Sequence, residues 1–162
     1  MKTLTWQLVR GLGRSSRLIG FFGAGFYSHI DVLTPTGMLR GARSDWIGKV
    51  PPGYQDRPYD YEHWAAQTQY TIEVTDEQSD RYWFFSDNQL YKPYDSRGLI
   101  DTFVFGRDWR DDGSWWCSEE VAMNGEFAGI WTVDKHMRSV EPGDCAFLFM
   151  GKGAVVKEIP CS

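Results

Sequence analysis

The chain has 162 residues, enough for one domain, residues 1–162, with a core that folds unaided. Apolar residues make up 42% and charged residues 24%, with a formal net charge of −5. This is an ordinary globular balance, and nothing beyond the loose Arg10, Arg14 and Arg17 group offers the concentrated basic face of a nucleic-acid binder. No apolar stretch approaches the roughly 18 residues of a membrane helix. The opening MKTLTWQLVRGLG lacks an uninterrupted apolar h-region and a small-residue cleavage site, so no signal peptide is read and a cytoplasmic setting is expected. Aromatics are abundant at 16%, with eight Trp; the surplus over core needs suits a cleft wall.

In chain order, TWQLVRGL alternates as a strand does, and Ser15 and Ser16 cap a short helix, SRLIGFFG, ending at Gly23 and Gly25. The period-two pattern of FYSHIDVLT puts Phe26, Ser28, Ile30 and Val32 on one face of a strand and Tyr27, His29, Asp31 and Leu33 on the other. A turn at Pro35, Thr36 and Gly37 leads into MLRGAR, giving a hairpin of 29–34 against 38–43. The stretch from Asp45 to Asp60, with Pro51, Pro52, Gly53 and Pro58, reads as a long surface loop, and TQYTIEVT at 68–75 as a strand. Thr75 to Gln78 matches a capping box for a helix running to about Leu90, with Tyr82, Phe85 and Trp83 turned inward. A second helix is expected from Cys117 to Phe127. Glu141-Pro142-Gly143-Asp144 reads as a turn before an apolar strand, CAFLFM, and a last strand, AVVKEI. The fold class is α+β, an antiparallel sheet or partial barrel packed against helices.

The three cysteines, 117, 145 and 161, form neither a disulfide framework nor a CxxC zinc pair, which fits a reducing compartment. Cys117, in SWWCSEEVAMNGEF, falls where a helix begins. Unpaired N–H groups and the helix dipole favour a thiolate there over the free value of about 8.5 and can also hold an oxyanion. Trp115 and Trp116 beside it would wall a cleft. An unreactive buried cysteine is the alternative. His29, on a strand with Tyr27 and Asp31 to either side, is the first candidate for its base. His63, in YEHWAAQ, and His136, in VDKHMRS, read as surface residues. Cys145 in an apolar strand and Cys161 in the tail read as inert.

YSHIDVLTPTGMLRGA, from Tyr27 to Ala42, resembles the histidine-bearing strand pair of NlpC-type cysteine peptidases. Lys92 to Val121, with KPYD, a glycine and WCSEEV, resembles their nucleophile segment. The histidine precedes the cysteine here, which is similar to the circularly permuted papain-like branch, the YiiX-like hydrolases, whose nucleophile motif often reads Cys-Ser-Glu. The resemblance spans roughly residues 15–150. It implies a permuted papain-like domain with Cys117 as nucleophile, His29 as base and Tyr94 lending its hydroxyl to the oxyanion pocket. The family's third polar residue, which orients the imidazole, falls by spacing at Gly41; Asp31, Ser44, Asp45, a backbone carbonyl or water are the candidates to replace it. Asp95 reads as a turn cap or cleft residue, and Ser118 and Glu119 as first-turn residues of the helix.

The expected activity is thiol hydrolysis of an amide, peptide or ester bond through a thioester, with a peptide-like or acylated small molecule as substrate and no cofactor, in a bacterium or phage. A binding module with a decayed site is the alternative that Gly41 favours. A metal site from Cys117, His29 and Asp31 ranks last for want of a fourth ligand.

Overall fold

A computed structural model describes residues 1–12, 26–94, 116–133 and 140–160. Five strands, β1 (Lys2–Gly11), β2 (His29–Leu33), β3 (Leu39–Arg43), β4 (Gly53–Arg57) and β5 (Trp64–Val74), precede the helix α1 (Asp76–Gln89). They are followed by α2 (Cys117–Phe127), α3 (Pro142–Gly151) and β6 (Val155–Ile159). The strands form one antiparallel sheet in the order β4-β3-β2-β1-β5-β6. The mixed α+β class expected of the sequence is therefore met by an open sheet with three helices among the described residues, none of them long and apolar enough to cross a membrane.

The centre of the sheet is built from alternation. Leu4, Trp6 and Leu8 of β1 and Ile30 and Val32 of β2 enter one core, closed by Val121 and Ala122 of α2 and Phe149 of α3. Trp6 stacks on Phe149 with centroids 4.5 Å apart and donates its indole N–H to the Tyr82 hydroxyl at 2.9 Å, so its one polar atom is satisfied. Each such side chain contributes about 1.5–3 kcal/mol by leaving water. Gly125 on α2 has no side chain because the Trp131 ring occupies that space, and the ring's N–H is held by the Ala122 carbonyl at 3.0 Å.

At the two edges the sheet differs. β4 is covered by the chain after α1, with Tyr54 N–H donating to the Lys92 carbonyl and Tyr91 N–H to the Tyr54 carbonyl, both at 2.9 Å. At the other edge β6 pairs only with β5 among the described residues, and Val155, Val156, Lys157 and Glu158 are exposed.

Several expectations hold in detail. The hairpin pairs Val32 with Arg40 and Leu33 with Leu39. The helix α1 starts on a reciprocal Thr75–Gln78 cap, each backbone N–H bonded to the other side chain at 3.0 Å. The helix α2 has the expected bounds.

Others are corrected. Within the supposed surface loop from Asp45 to Asp60 lies β4, whose Gly41↔Gln55 and Ala42↔Tyr54 pairs extend the sheet; proline and glycine flanking a five-residue strand hid it. The strand at 68–75 begins earlier, at Trp64. CAFLFM is not a strand but part of α3: Pro142 occupies the first turn, and Glu141 and Asp144 cap each other's backbone, so the supposed turn is a helix start. Its buried Cys145, Ala146 and Phe149 follow helical spacing. The helix read over SRLIGFFG lies outside the described residues.

Candidate active site

The sheet and α2 bring two segments distant in sequence together. The helix α2 packs against β2, β3, α1 and α3, which carries its first residue, Cys117, to the start of β2, where His29 lies. The imidazole and the thiol lie close enough to interact, and both are buried. On its other side His29 bonds through Nε2 to Asp31 Oδ1 at 2.9 Å. With Nε2 committed to the carboxylate, Nδ1 is the nitrogen left for the thiol. Cys117, His29 and Asp31 thus stand in one interacting row, thiol beside imidazole and imidazole bonded to carboxylate.

Asp31 reaches the imidazole because it is two residues along the same strand, where alternation returns a side chain to the same face. Its carboxylate needs room, and Gly41 provides it. Counting on from the Val32↔Arg40 pair sets Asp31 across from Gly41, and a Cβ on Gly41 would lie 2.0 Å from Asp31 Oδ1. The position left blank on β3 is therefore filled from β2. Neither Ser44 nor Asp45 takes that role; Asp45 instead accepts a forked pair of bonds from Arg43, both 2.8 Å.

The electrostatics follow from this burial. Desolvation pushes His29 toward the neutral form, but the charges of Asp31 and Cys117 and the hydrogen bonds to both outweigh it, and its pKa is pushed up to about 9. Burial likewise opposes a charged Asp31, yet the His29 charge, the bonds from His29 and Tyr61 and the nearby Arg57 hold the carboxyl below the usual carboxylate range. At neutral pH the pair is an imidazolium against a carboxylate, in a place where unpaired charge is costly.

Tyr61 and Trp64, to which the sequence reading gave no role, close over this pair. Tyr61 donates its hydroxyl to Asp31 Oδ2 at 2.8 Å, and the Trp64 ring lies near-parallel to the His29 ring, 23° apart with centroids at 6.3 Å. Their signal in sequence was faint: two aromatics where a strand begins, after a segment full of turn residues.

The remaining candidates divide. Trp116 is buried as the residue preceding α2, with its indole N–H unpartnered among the described residues. Tyr94 packs against the Ala42 and Tyr54 cluster. Tyr27 donates its hydroxyl to Thr68 at 3.0 Å and also approaches the Tyr70 hydroxyl, so β5 takes it up. Trp115 and Asp95 lie outside the described residues, as do Cys161 and His136. His63 is exposed. Ser118 donates to the Val140 carbonyl and ties α2 to the start of α3. Cys145 is fully buried on α3, where burial pushes its thiol well up, consistent with an inert cysteine.

Sequence reasoning also missed Glu120, one turn beyond Cys117. Its carboxyl is fully buried and accepts a bond from Asn124 with Tyr54 close by, while Oε2 has no hydrogen-bond partner among the described residues. Burial raises its pKa to about 8 against the smaller opposing pull of Tyr54 and Arg40, so it is protonated at neutral pH. Tyr54 passes the contact on to Ser86 at 2.8 Å, and Ser86 accepts from Arg40 at 3.0 Å.

No protein-family profile matches the sequence, and no curated protein matches it. A solved structure does: that of the metalloprotein YiiX from Escherichia coli O157:H7, at 16% identity and a TM-score of 0.54, covering 99% of this chain and 97% of that one. Among the described residues no three His, Cys, Asp or Glu side chains converge on a point, and Cys117 and Asp31 engage different sides of the His29 ring. What this chain has in common with YiiX at that identity is the fold.

Proposed function

We propose that the chain is a cysteine hydrolase of the permuted papain-like, NlpC-type kind, acting on amide, peptide or ester bonds of a peptide-like or acylated small substrate. The observation that carries this reading is the juxtaposition of Cys117, at the start of a helix, with His29 and the Asp31 carboxylate bonded to it. A thiol, an imidazole and an acid in that order are the parts of nucleophilic acyl transfer.

His29 stays protonated to about pH 9, and in the proposed reacting form it holds the proton taken from the Cys117 sulfur. The Cys117 sulfur attacks the carbonyl carbon, a C–S bond forms, and the carbonyl electrons move to oxygen. The N–H groups of the first turn of α2 face the developing oxyanion, and Tyr94 is the hydroxyl that would join them. When the intermediate collapses, His29 gives its proton to the leaving nitrogen or oxygen. Water then attacks the thioester, its proton passes to His29, and the acid product leaves the pair as it began. Trp116, with Trp115, Tyr27 and Asp95, is the proposed cleft lining.

Gly41 was the feature favouring a decayed binding module. The Asp31 carboxylate in the space beside it removes that argument.

Site-resolved iodoacetamide labelling from pH 5 to 9 tests the reading. Cys117 should label at least tenfold faster than Cys145 near pH 6, and His29→Ala should abolish that advantage. Labelling of Cys117 at the rate of a free thiol, indifferent to His29, would sink the proposal.

A further inference from the structure

The acid of the candidate triad is buried, and its two oxygens are treated differently. Oδ1 meets His29 Nε2 at 2.9 Å, and Oδ2 accepts the Tyr61 hydroxyl at 2.8 Å. Two arginines stand close by, and neither binds the carboxylate among the described hydrogen bonds. Arg57 spends its guanidinium on backbone carbonyls, with Nη1 on Gly41 at 2.7 Å and Gln55 at 3.2 Å and Nη2 on Gly53 at 3.1 Å. Arg43 forks onto Asp45 and pairs with Glu62 at 2.7 Å, touching the Asp31 chain only through a bond from Nη1 to the Tyr61 hydroxyl at 3.3 Å.

That diversion has a chemical consequence. A guanidinium bonded to Asp31 would neutralise the charge that keeps His29 protonated. A neutral phenol fixes the second oxygen without competing for that charge. The phenol can only donate to Asp31, because burial and the Asp31 charge hold it protonated far above neutral pH. Its ring is fixed as well, edge-on to Trp64 with centroids 5.5 Å apart, and the Arg43 guanidinium covers both rings at 5.3 and 5.5 Å.

We infer that Tyr61 is a positioning residue of the Cys117 site, pinning the Asp31 carboxylate so that it can orient and charge-stabilise the His29 imidazolium, with Arg43 holding Tyr61 in turn. This rests on the thiol-hydrolase reading given above. The charged or titratable groups around the pair are Tyr61 and Asp45 in the loops, Arg43 on β3, Arg57 on β4, and Cys117 and Glu120 on α2. Of these, Tyr61 alone can be stripped of its contact with Asp31 without adding or removing a charge.

The test is the pH profile of Cys117 alkylation by iodoacetamide, from pH 4 to 9, in the whole chain. Tyr61→Phe keeps the ring and loses only the hydroxyl. Asp31 then protonates more readily, the imidazolium loses its counter-charge, and the acid edge of the profile moves up by about one pH unit, a roughly tenfold slower reaction on the acid limb. Arg43→Gln, which frees Tyr61 but leaves its hydroxyl in place, moves the edge the same way by less. It carries the test should Tyr61→Phe melt below the assay temperature. Tyr59→Phe is the control: Tyr59 accepts a bond from Gln69 at 2.8 Å and makes no described bond to Asp31, so the edge stays where it was. Profiles for Tyr61→Phe or Arg43→Gln that superpose on the unaltered chain overturn the positioning role alone, provided the unaltered chain labels fast and His29→Ala slows it. If the unaltered chain labels like a free thiol, the hydrolase reading itself has failed.

Discussion

The densest information lies in single residues. Asp31 was legible as a possible orienter, since alternation puts it on the face of His29, but its choice over Ser44 and Asp45 was not, because that depends on which volume is empty across the strand pair. Gly41 looked like a loss in sequence and is a complement in structure. Gly41→Ala should therefore do more than an ordinary strand substitution, which would gain a little from reduced chain entropy. The new methyl would lie 2.0 Å from Asp31 Oδ1, with the Ile30 carbonyl at 3.0 Å closing the way back. We expect a loss of about 1–3 kcal/mol in thermal or urea unfolding together with slower Cys117 alkylation at pH 6. Full stability with unchanged alkylation would show that Asp31 has other room.

Elements were read well where local chemistry alone decides them. The capping box fixed the start of α1, and its N-cap should contribute as such caps do: Thr75→Ala is expected to cost about 1 kcal/mol, read as a lower urea midpoint with an unchanged slope. The helix α2 was found from the apolar and acidic run Ser118 to Met123, although the pair Asn124-Gly125 inside it would by itself suggest a turn. Failures came where local chemistry is ambiguous. CAFLFM is apolar enough to be a buried strand or a buried helix, and only the reciprocal cap of Glu141 and Asp144 around Pro142 tips it to helix. The segment forming β4 contains residues that punctuate loops, and it becomes a strand because β3 offers an unpaired edge, which no local pattern announces.

At the scale of the molecule, the sequence suggested the partners of the site, and the topology explains how they meet: a hairpin at one end of the chain and a helix far along it share one core. Glu120 is where that shared core touches pH. Its pKa is raised, so the folded chain keeps a proton that the unfolded chain loses; stability therefore falls as pH rises from the ordinary Glu value of 4.5 to about 8 and levels off above. Glu120→Gln, neutral throughout, should lack this decline. Its stability relative to the unaltered chain should climb by a few kcal/mol between pH 5 and 8 in urea titrations, and a constant difference would mean that Glu120 is ionised in the fold. The open edge at β6 bears on the molecule in another way. An unpaired strand invites the same strand of a neighbouring copy, and sheets that accept the offer grow into fibres. In a two-fold antiparallel pairing the outward N–H and C=O groups of one copy must meet the outward groups of the other, which leaves only registers that match odd positions to odd. The fully overlapped one sets Lys157 directly against Lys157 of the neighbour, two ammonium groups on one face of the joined sheet. A single lysine in the middle of five residues thus works against the pairing of two copies at the one edge that the chain leaves uncovered among the described residues.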